Sequence, residues 1–266
     1  YIRLPLELEI MDRLEAFCKK LDVPFPHEIE INFFKSRKGK KLANNLPQPP
    51  EDCMAFIAPT DILSIAKVGF IGELVILYAT SLGISTCWFG HYLLSEVERL
   101  LPKLSSAKSH FGYGYGKNEQ EGRMAICISP LGYRDNNNIS FVDKITFRIA
   151  SFKRKPLDGR LTGGMAEKYL NPELKFALDL ARKAPSAANT QHWEFEVSTD
   201  QKNVTIAKPL GYKHIKWEHP DVCVGCCAAH FWLGLMIQGI KCNVIIETAE
   251  NRVLWQFSLD DSTHGV

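Results

Sequence analysis

The stretch with the most evident chemical capacity is the polar turn APSAANTQHW, residues 184–193, which comes after a helical pattern and leads into a strand-like one. Its members are small or carry short hydrogen-bonding groups: Pro185, Ser186, Ala187, Ala188 and Asn189. Hydroxyl and amide groups beside a proline-fixed backbone suit an anionic or polyhydroxylated ligand, but they are also typical of an ordinary turn after a helix. The residues alone leave both interpretations open.

A basic run upstream of this turn is the second candidate. It consists of Lys153, Arg154 and Lys155. Cationic side chains bind phosphate through charge-assisted hydrogen bonds, which would complement the short donors of the turn. A solvated basic surface segment is the alternative interpretation.

The eight cysteines lie mostly within apolar segments, so we interpret them as reduced, buried thiols of a cytoplasmic protein. The segment CVGCCAAH spaces Cys223, Cys226, Cys227 and His230 as metal ligands can be spaced. No second ligand pair stands nearby, and cysteine also behaves as a small apolar residue. We therefore favour a closely packed core helix and expect no metal.

The bulk composition limits the classes of partner. A net charge of +2 over 266 residues gives no basis for a nucleic-acid or anionic membrane surface. No apolar run approaches the roughly 18 residues of a membrane span. We expect neither nucleic acid nor a membrane as a partner.

Hydrophobic periodicity predicts the elements that position the candidates. Helical spacing marks residues 6–21 and 171–183, with Asn171 as a cap and Pro172 at the first helical position. Alternation marks strands at 27–34 and 192–198. Helices that are apolar nearly all round, and therefore central, are predicted at 68–83 and 223–239.

The two apolar helices indicate an internal duplication. VGFIGELVILYATSLGI and VGCCAAHFWLGLMIQGI both open with Val-Gly and close with Gly-Ile, which aligns Gly69 with Gly225 and Gly83 with Gly239. Each is preceded by a helix, a turn and a strand. The pattern predicts two related halves, 1–150 and 151–266, forming one compact unit.

Three motifs carry a family resemblance. APSAANTQHW resembles the A-P-S-x-x-N-x-Q-P-W turn of the FMN-dependent nitroreductase superfamily, with His192 in place of the usual proline. ISTCWFG, residues 84–90, resembles its G-x-G-T-C-W-x-G segment, and RKPLD, residues 154–158, resembles its R-K-P-L-E-E segment. Their order is most similar to that of the single-chain, internally duplicated nitroreductases.

The resemblance implies an α+β, nitroreductase-like fold, with two related α/β halves packed around central apolar helices as a pseudo-dimer within a monomer. It implies an oxidoreductase in which NAD(P)H reduces FMN and a nitroaromatic, quinone or similar acceptor reoxidises it. The implied cofactor-binding residues are Trp88, Phe89, Gly90, Lys153, Arg154, Lys155, Pro185, Ser186, Ala187, Ala188 and Asn189. No protein residue is expected to be catalytic, because the chemistry is that of the flavin.

The resemblance leads to two further expectations. The short donors occur only in the second half and the Trp-Phe-Gly segment only in the first, so we expect one FMN per chain. YIRLPLELE resembles the stretch that lies directly after an R-x-S-x-R segment in the superfamily, so such a segment is expected before Tyr1. A flavin-binding or structural relative without turnover is the alternative function.

Overall fold

The computed structural model describes residues 1–43, 46, 48–101, 122–135, 153–214 and 217–260. The chain divides into two compact units. The first comprises Tyr1–Asp22, Glu28–Ser64 and Leu74–Ala150, and the second comprises Val23–His27, Ile65–Glu73 and Ser151–Val266. The predicted boundary between 150 and 151 falls outside the described residues.

The first unit is built around an antiparallel sheet. Its elements are α1 (Leu8–Lys20), β1 (Glu30–Lys35), β2 (Asp52–Pro59), α2 (Ile62–Ser81), β3 (Ser85–Thr86), α3 (Leu94–Leu100) and β4 (Arg123–Gly132). The described strands lie in the order β1-β2-β4-β3. Strands β2 and β4 are buried along almost their whole length and pair with each other, so they form the centre of this unit.

The second unit combines a larger sheet with two helices and the middle of α2. Its elements are β5 (Leu161–Thr162), α4 (Pro172–Ala181), β6 (Glu194–Val197), β7 (Asn203–Ala207), α5 (Pro220–Ile237), β8 (Cys242–Ala249) and β9 (Arg252–Leu259). The order is β5-β6-β7-β9-β8, parallel only between β5 and β6. Phe231 of α5 meets Phe257 of β9 edge-on, with ring centroids 4.8 Å apart, so the helix packs on the sheet.

Local sequence signals explain where the helices begin. Helix α4 starts at Pro172, and the side chain of Asn171 accepts a hydrogen bond of 2.7 Å from Leu174 N. This cap satisfies one of the helix's unpaired amides, so the predicted start at Asn171 and Pro172 is confirmed. Asp61 caps α2 in the same way through Ser64 N.

The two apolar helices end alike. Gly83 and Gly239 come directly after α2 and α5 in the left-handed region, with φ of 81° and 72°. The next amides, of Ile84 and Ile240, each bond 3.0 Å to a carbonyl in the last helical turn. The strand orders β1-β2-β4-β3 and β6-β7-β9-β8 also correspond. These parallels support the duplication, which stays a prediction.

The expectation that no apolar run approaches the length of a membrane span is wrong when hydropathy is averaged over 18 residues. Helices α2 and α5 contain 18-residue windows with mean hydropathies of 1.9 and 1.5, so both match a membrane span in length and composition. A few polar residues interrupt each helix, but the mean hydropathy of the window stays as high as that of a membrane span. The windows are 67% and 72% buried within the protein, which is typical of core helices in a soluble fold.

Within the second unit, α2 and α5 cross at backbone-to-backbone distance. A Cβ atom added to Gly69 would lie 1.9 Å from Val222 O, and one added to Gly225 would lie 2.1 Å from Ala66 O. Neither position has room for any side chain. The glycines aligned by the repeat therefore meet each other at the crossing.

We expect Gly225→Ala to destabilise the protein. Alanine is the better helix former by about 1 kcal/mol, but its methyl group would overlap the Ala66 carbonyl and force the helices apart. Overpacking on this scale should outweigh the gain in helix propensity. The free energy of unfolding should fall by about 2 kcal/mol or more. The midpoint of denaturant unfolding, compared with that of the unaltered protein, measures this loss of stability.

Gly159→Ala is the matched control for this substitution. The nearest atom to an added Cβ there is Pro156 O at 3.8 Å, an ordinary van der Waals distance. An unchanged midpoint for Gly225→Ala would show that the helices do not cross as described.

Candidate functional site

Ser186 closes the polar turn. Its carbonyl accepts a hydrogen bond from Asn189 N at 2.9 Å, and its Oγ accepts another from Gln191 N at 2.9 Å. Within the described chain the Ser186 hydroxyl has no acceptor for its own proton. The side chain therefore fixes the turn while keeping one donor available to a ligand.

The backbone of the turn is conformationally strained. Ala188, Asn189 and Gln191 have φ of 51°, 54° and 50°, in the left-handed region that disfavours residues with a Cβ. They are half of the six non-glycine residues with positive φ in the part of the chain that the structure describes. Strain of this kind persists only where surrounding contacts enforce it, and it concentrates at ligand sites.

Gln191 provides most of that enforcement and joins the turn to the basic run. This buried amide accepts a hydrogen bond from Lys155 N at 2.7 Å and donates to Lys153 O at 3.0 Å. It also donates to Asn189 O at 3.2 Å. Sequence analysis left Gln191 out of the site, although its place in the motif was a usable signal.

The basic run contacts the turn through its side chains as well. Arg154 Nη1 donates to Asn189 Oδ1, and Lys155 Nζ donates to Thr190 O at 2.7 Å. Residues 153–155 and 186–189, proposed separately from the sequence, therefore form one cluster in the second unit. Whether they bind a cofactor stays a prediction.

The cations of this cluster are partly withdrawn from water. Burial lowers the pKa of Arg154, opposed by the nearby Glu73 carboxylate. Burial and the neighbouring charge of Arg160 lower the pKa of Lys155. Partly desolvated positive charges interact more strongly with an anion than fully solvated ones do.

Helix α5 contacts the turn through the side chain of Cys223. Ala187 N donates to the Sγ of Cys223 at 3.2 Å. Burial raises the pKa of this thiol to about 12, which keeps it protonated.

Among the described residues there is no group of three or more His, Cys, Asp or Glu side chains arranged for a metal. Cys223, Cys226 and Cys227 are buried in α5, as the core-helix interpretation predicts.

A buried acidic residue lies on α2 within the same unit. Glu73 is only 2% exposed, and its Oε1 is 2.8 Å from Nε2 of His230 on α5. Its negative charge also acts on Arg154. Sequence analysis missed this pair, because its members are 157 positions apart and only the helix crossing brings them together.

His192, the departure from the family motif, is buried and neutral. Its Nε2 lies 2.9 Å from Pro220 O, so it must carry the proton, and Nδ1 lies 2.8 Å from the hydroxyl oxygen of Thr190. The Tyr212 ring stacks on it with centroids 4.3 Å apart. Burial is the main cause that lowers its pKa to about 4.

The remaining candidates, Trp88, Phe89 and Gly90, belong to the first unit. Phe89 exchanges backbone hydrogen bonds of 2.9 and 3.0 Å with Ile128 of β4, and its side chain lies in the hydrophobic core. The Trp88 ring packs on Phe56, with centroids 5.0 Å apart. These hydrogen bonds fix the backbone directly before Gly90. The expected role of Gly90 beside the flavin ring stays a prediction.

A family model described as "Putative TM nitroreductase" matches residues 1–235. The chain belongs to this family. The fold is similar to the crystal structure of a "putative nitroreductase" from Thermotoga maritima, with 18% identity, a TM-score of 0.56, and coverage of 98% of this chain and 89% of that one. The expected family and the α+β nitroreductase-like fold are thereby confirmed.

A structure of an "FMN-dependent Nitroreductase" from Clostridium difficile also matches, with 14% identity and a TM-score of 0.36, covering 55% of this chain and 86% of that one. None of the curated proteins matches the chain.

The burial of neutral His192 predicts a loss of stability in acid. Its pKa of about 4 lies below the ordinary 6.5, so the unfolded chain binds more protons between these values and stability falls as the pH drops through that window. His192→Gln cannot titrate, and we expect it to remove a loss on the order of 2 kcal/mol. Urea unfolding of both proteins across this window measures the difference, and parallel curves would contradict the assignment.

Proposed function

We propose that this member of the nitroreductase family is a cytoplasmic, FMN-dependent oxidoreductase. NAD(P)H reduces the flavin, and a nitroaromatic, quinone or similar acceptor then takes the electrons. The observation that carries the proposal is the cluster of Arg154, Lys155 and Ser186 around a strained turn whose sequence matches the family's FMN motif.

The residues present fit the chemistry of FMN. The phosphate needs cations and short donors, and the cluster offers two partly buried cations and the unused Ser186 hydroxyl proton. The turn is held by internal bonds and needs no ligand to order it. Such preorganisation lowers the entropic cost of binding.

Each residue then has a defined task. Arg154 and Lys155 neutralise the phosphate, while Ser186 donates a hydrogen bond to it. Gln191 and Asn189 hold the basic run against the turn. When bound, FMN would supply a ring that accepts and releases a hydride. No side chain has to act as nucleophile or base.

Two supporting features concern location and assembly. The eight cysteines are thiols and not disulfides in the structure, which is typical of a reducing compartment. The corresponding element orders of the two units support a monomer that acts as a pseudo-dimer. The second candidate function is a flavin-binding or structural relative without turnover.

Purified protein tests the function directly. We expect it to carry or take up one FMN per chain, seen as visible flavin absorbance, and NAD(P)H to bleach that absorbance without oxygen. Bound flavin that NAD(P)H does not bleach would favour the non-catalytic relative. Protein that takes up no FMN would reject the flavin-dependent functions and leave the structural relative.

Charge removal tests the phosphate contacts. The double variant Arg154→Gln, Lys155→Gln should weaken FMN binding by about 2 kcal/mol or more, because it removes two charge-assisted contacts. It should also flatten the salt dependence of binding. Riboflavin, which lacks the phosphate, should lose much less affinity.

The matched control is Lys19→Gln, Lys20→Gln, which removes the same charge from the exposed face of α1. Equal losses for FMN and riboflavin would show that Arg154 and Lys155 act through the fold rather than on the phosphate.

A further inference from the structure

Arg160 lies downstream of the basic run and is fixed beside the same turn. Its backbone amide donates to Leu157 O at 2.8 Å, and its carbonyl accepts from Phe195 N, also at 2.8 Å. The other end of this loop is fixed by the hydrogen bond from Lys155 N to the Gln191 side chain. Residues 155–160 therefore run along the turn from Gln191 to the first residues of β6.

The guanidinium of Arg160 lacks the partners that such a group requires. Its Nε is buried and has no hydrogen-bond acceptor among the described residues. An unsatisfied buried donor destabilises the folded protein, and does so more strongly when it is charged. No described carboxylate forms an ion pair with Arg160.

The charges around Arg160 increase this cost. Burial lowers its pKa, opposed by the charge of Glu194, and its own charge helps to lower the pKa of Lys155. Two like charges are thus held near each other in a partly desolvated region. An anionic ligand beside the guanidinium would relieve this repulsion.

We propose that Arg160 is a third phosphate-binding cation of the cluster, with its guanidinium group donating to a phosphate oxygen of FMN. The inference rests on the proposed function and adds a residue that the motif resemblance does not include. It makes Arg160 a binding residue whose side chain does not contribute to the stability of the apoprotein.

The experiment titrates the full-length apoprotein with FMN and with riboflavin, following the quenching of flavin fluorescence. Arg160→Gln should raise the dissociation constant for FMN about tenfold or more and leave that for riboflavin nearly unchanged. Arg160→Lys should recover part of the loss, since it restores the charge without the guanidinium geometry.

Two controls and one further measurement separate the alternatives. Glu194→Gln tests whether Arg160 acts through that carboxylate, and Lys19→Gln removes a charge from a side chain that is 77% exposed. Neither should change FMN affinity. The thermal midpoint of the Arg160→Gln apoprotein should not fall below that of the unaltered chain, because Nε has no partner to lose.

The outcomes are distinct. If the unaltered chain binds FMN and Arg160→Gln binds it equally well, the role of Arg160 is rejected and the proposed function stands. Equal losses for both flavins, a lowered apoprotein midpoint or the same loss in Glu194→Gln would also reject it. If the unaltered chain binds neither flavin, the proposed function and this inference fail together.

Discussion

The backbone contact between α2 and α5 at Gly69 and Gly225 is the constraint on which the second unit depends. Because neither residue has a side chain, the helices approach closely enough to bring Glu73 to His230 and to bury Cys223. Cys223 in turn supports Ala187 N, so the position of the polar turn is set by helix packing behind it. The site is therefore supported by the core and not by loops alone.

A second level of support lies within the turn itself. Gln191 is buried, and its amide satisfies backbone groups of both the basic run and the turn. This network stabilises the turn, in which Ala188, Asn189 and Gln191 have positive φ. Arg154 and Lys155 are held against the same turn, an arrangement of like charges that costs stability and would favour the binding of an anion.

The sequence allowed much of this arrangement to be predicted where the signals are local. The start of α4 at Asn171 and Pro172, the two apolar helices and the family motif are all encoded by neighbouring residues. Contacts between distant residues were missed, such as Glu73 with His230 and Ala187 with Cys223. Periodicity gives the face of a helix that is buried, but it does not give the side chain that it meets. Arg160 was passed over for a related reason: a missing hydrogen bond is visible only once the neighbours are placed.

The strain at Ala188, Asn189 and Gln191 affects how such motifs diverge in evolution. A left-handed backbone excludes β-branched residues whether or not a cofactor is present, so the turn restricts its own substitutions through folding alone. A lineage that ceased to use flavin would keep this pattern long after its cationic residues had drifted. Under the proposed function, the charges at 154, 155 and 160 are therefore more informative markers of retained cofactor use among relatives than the turn sequence itself.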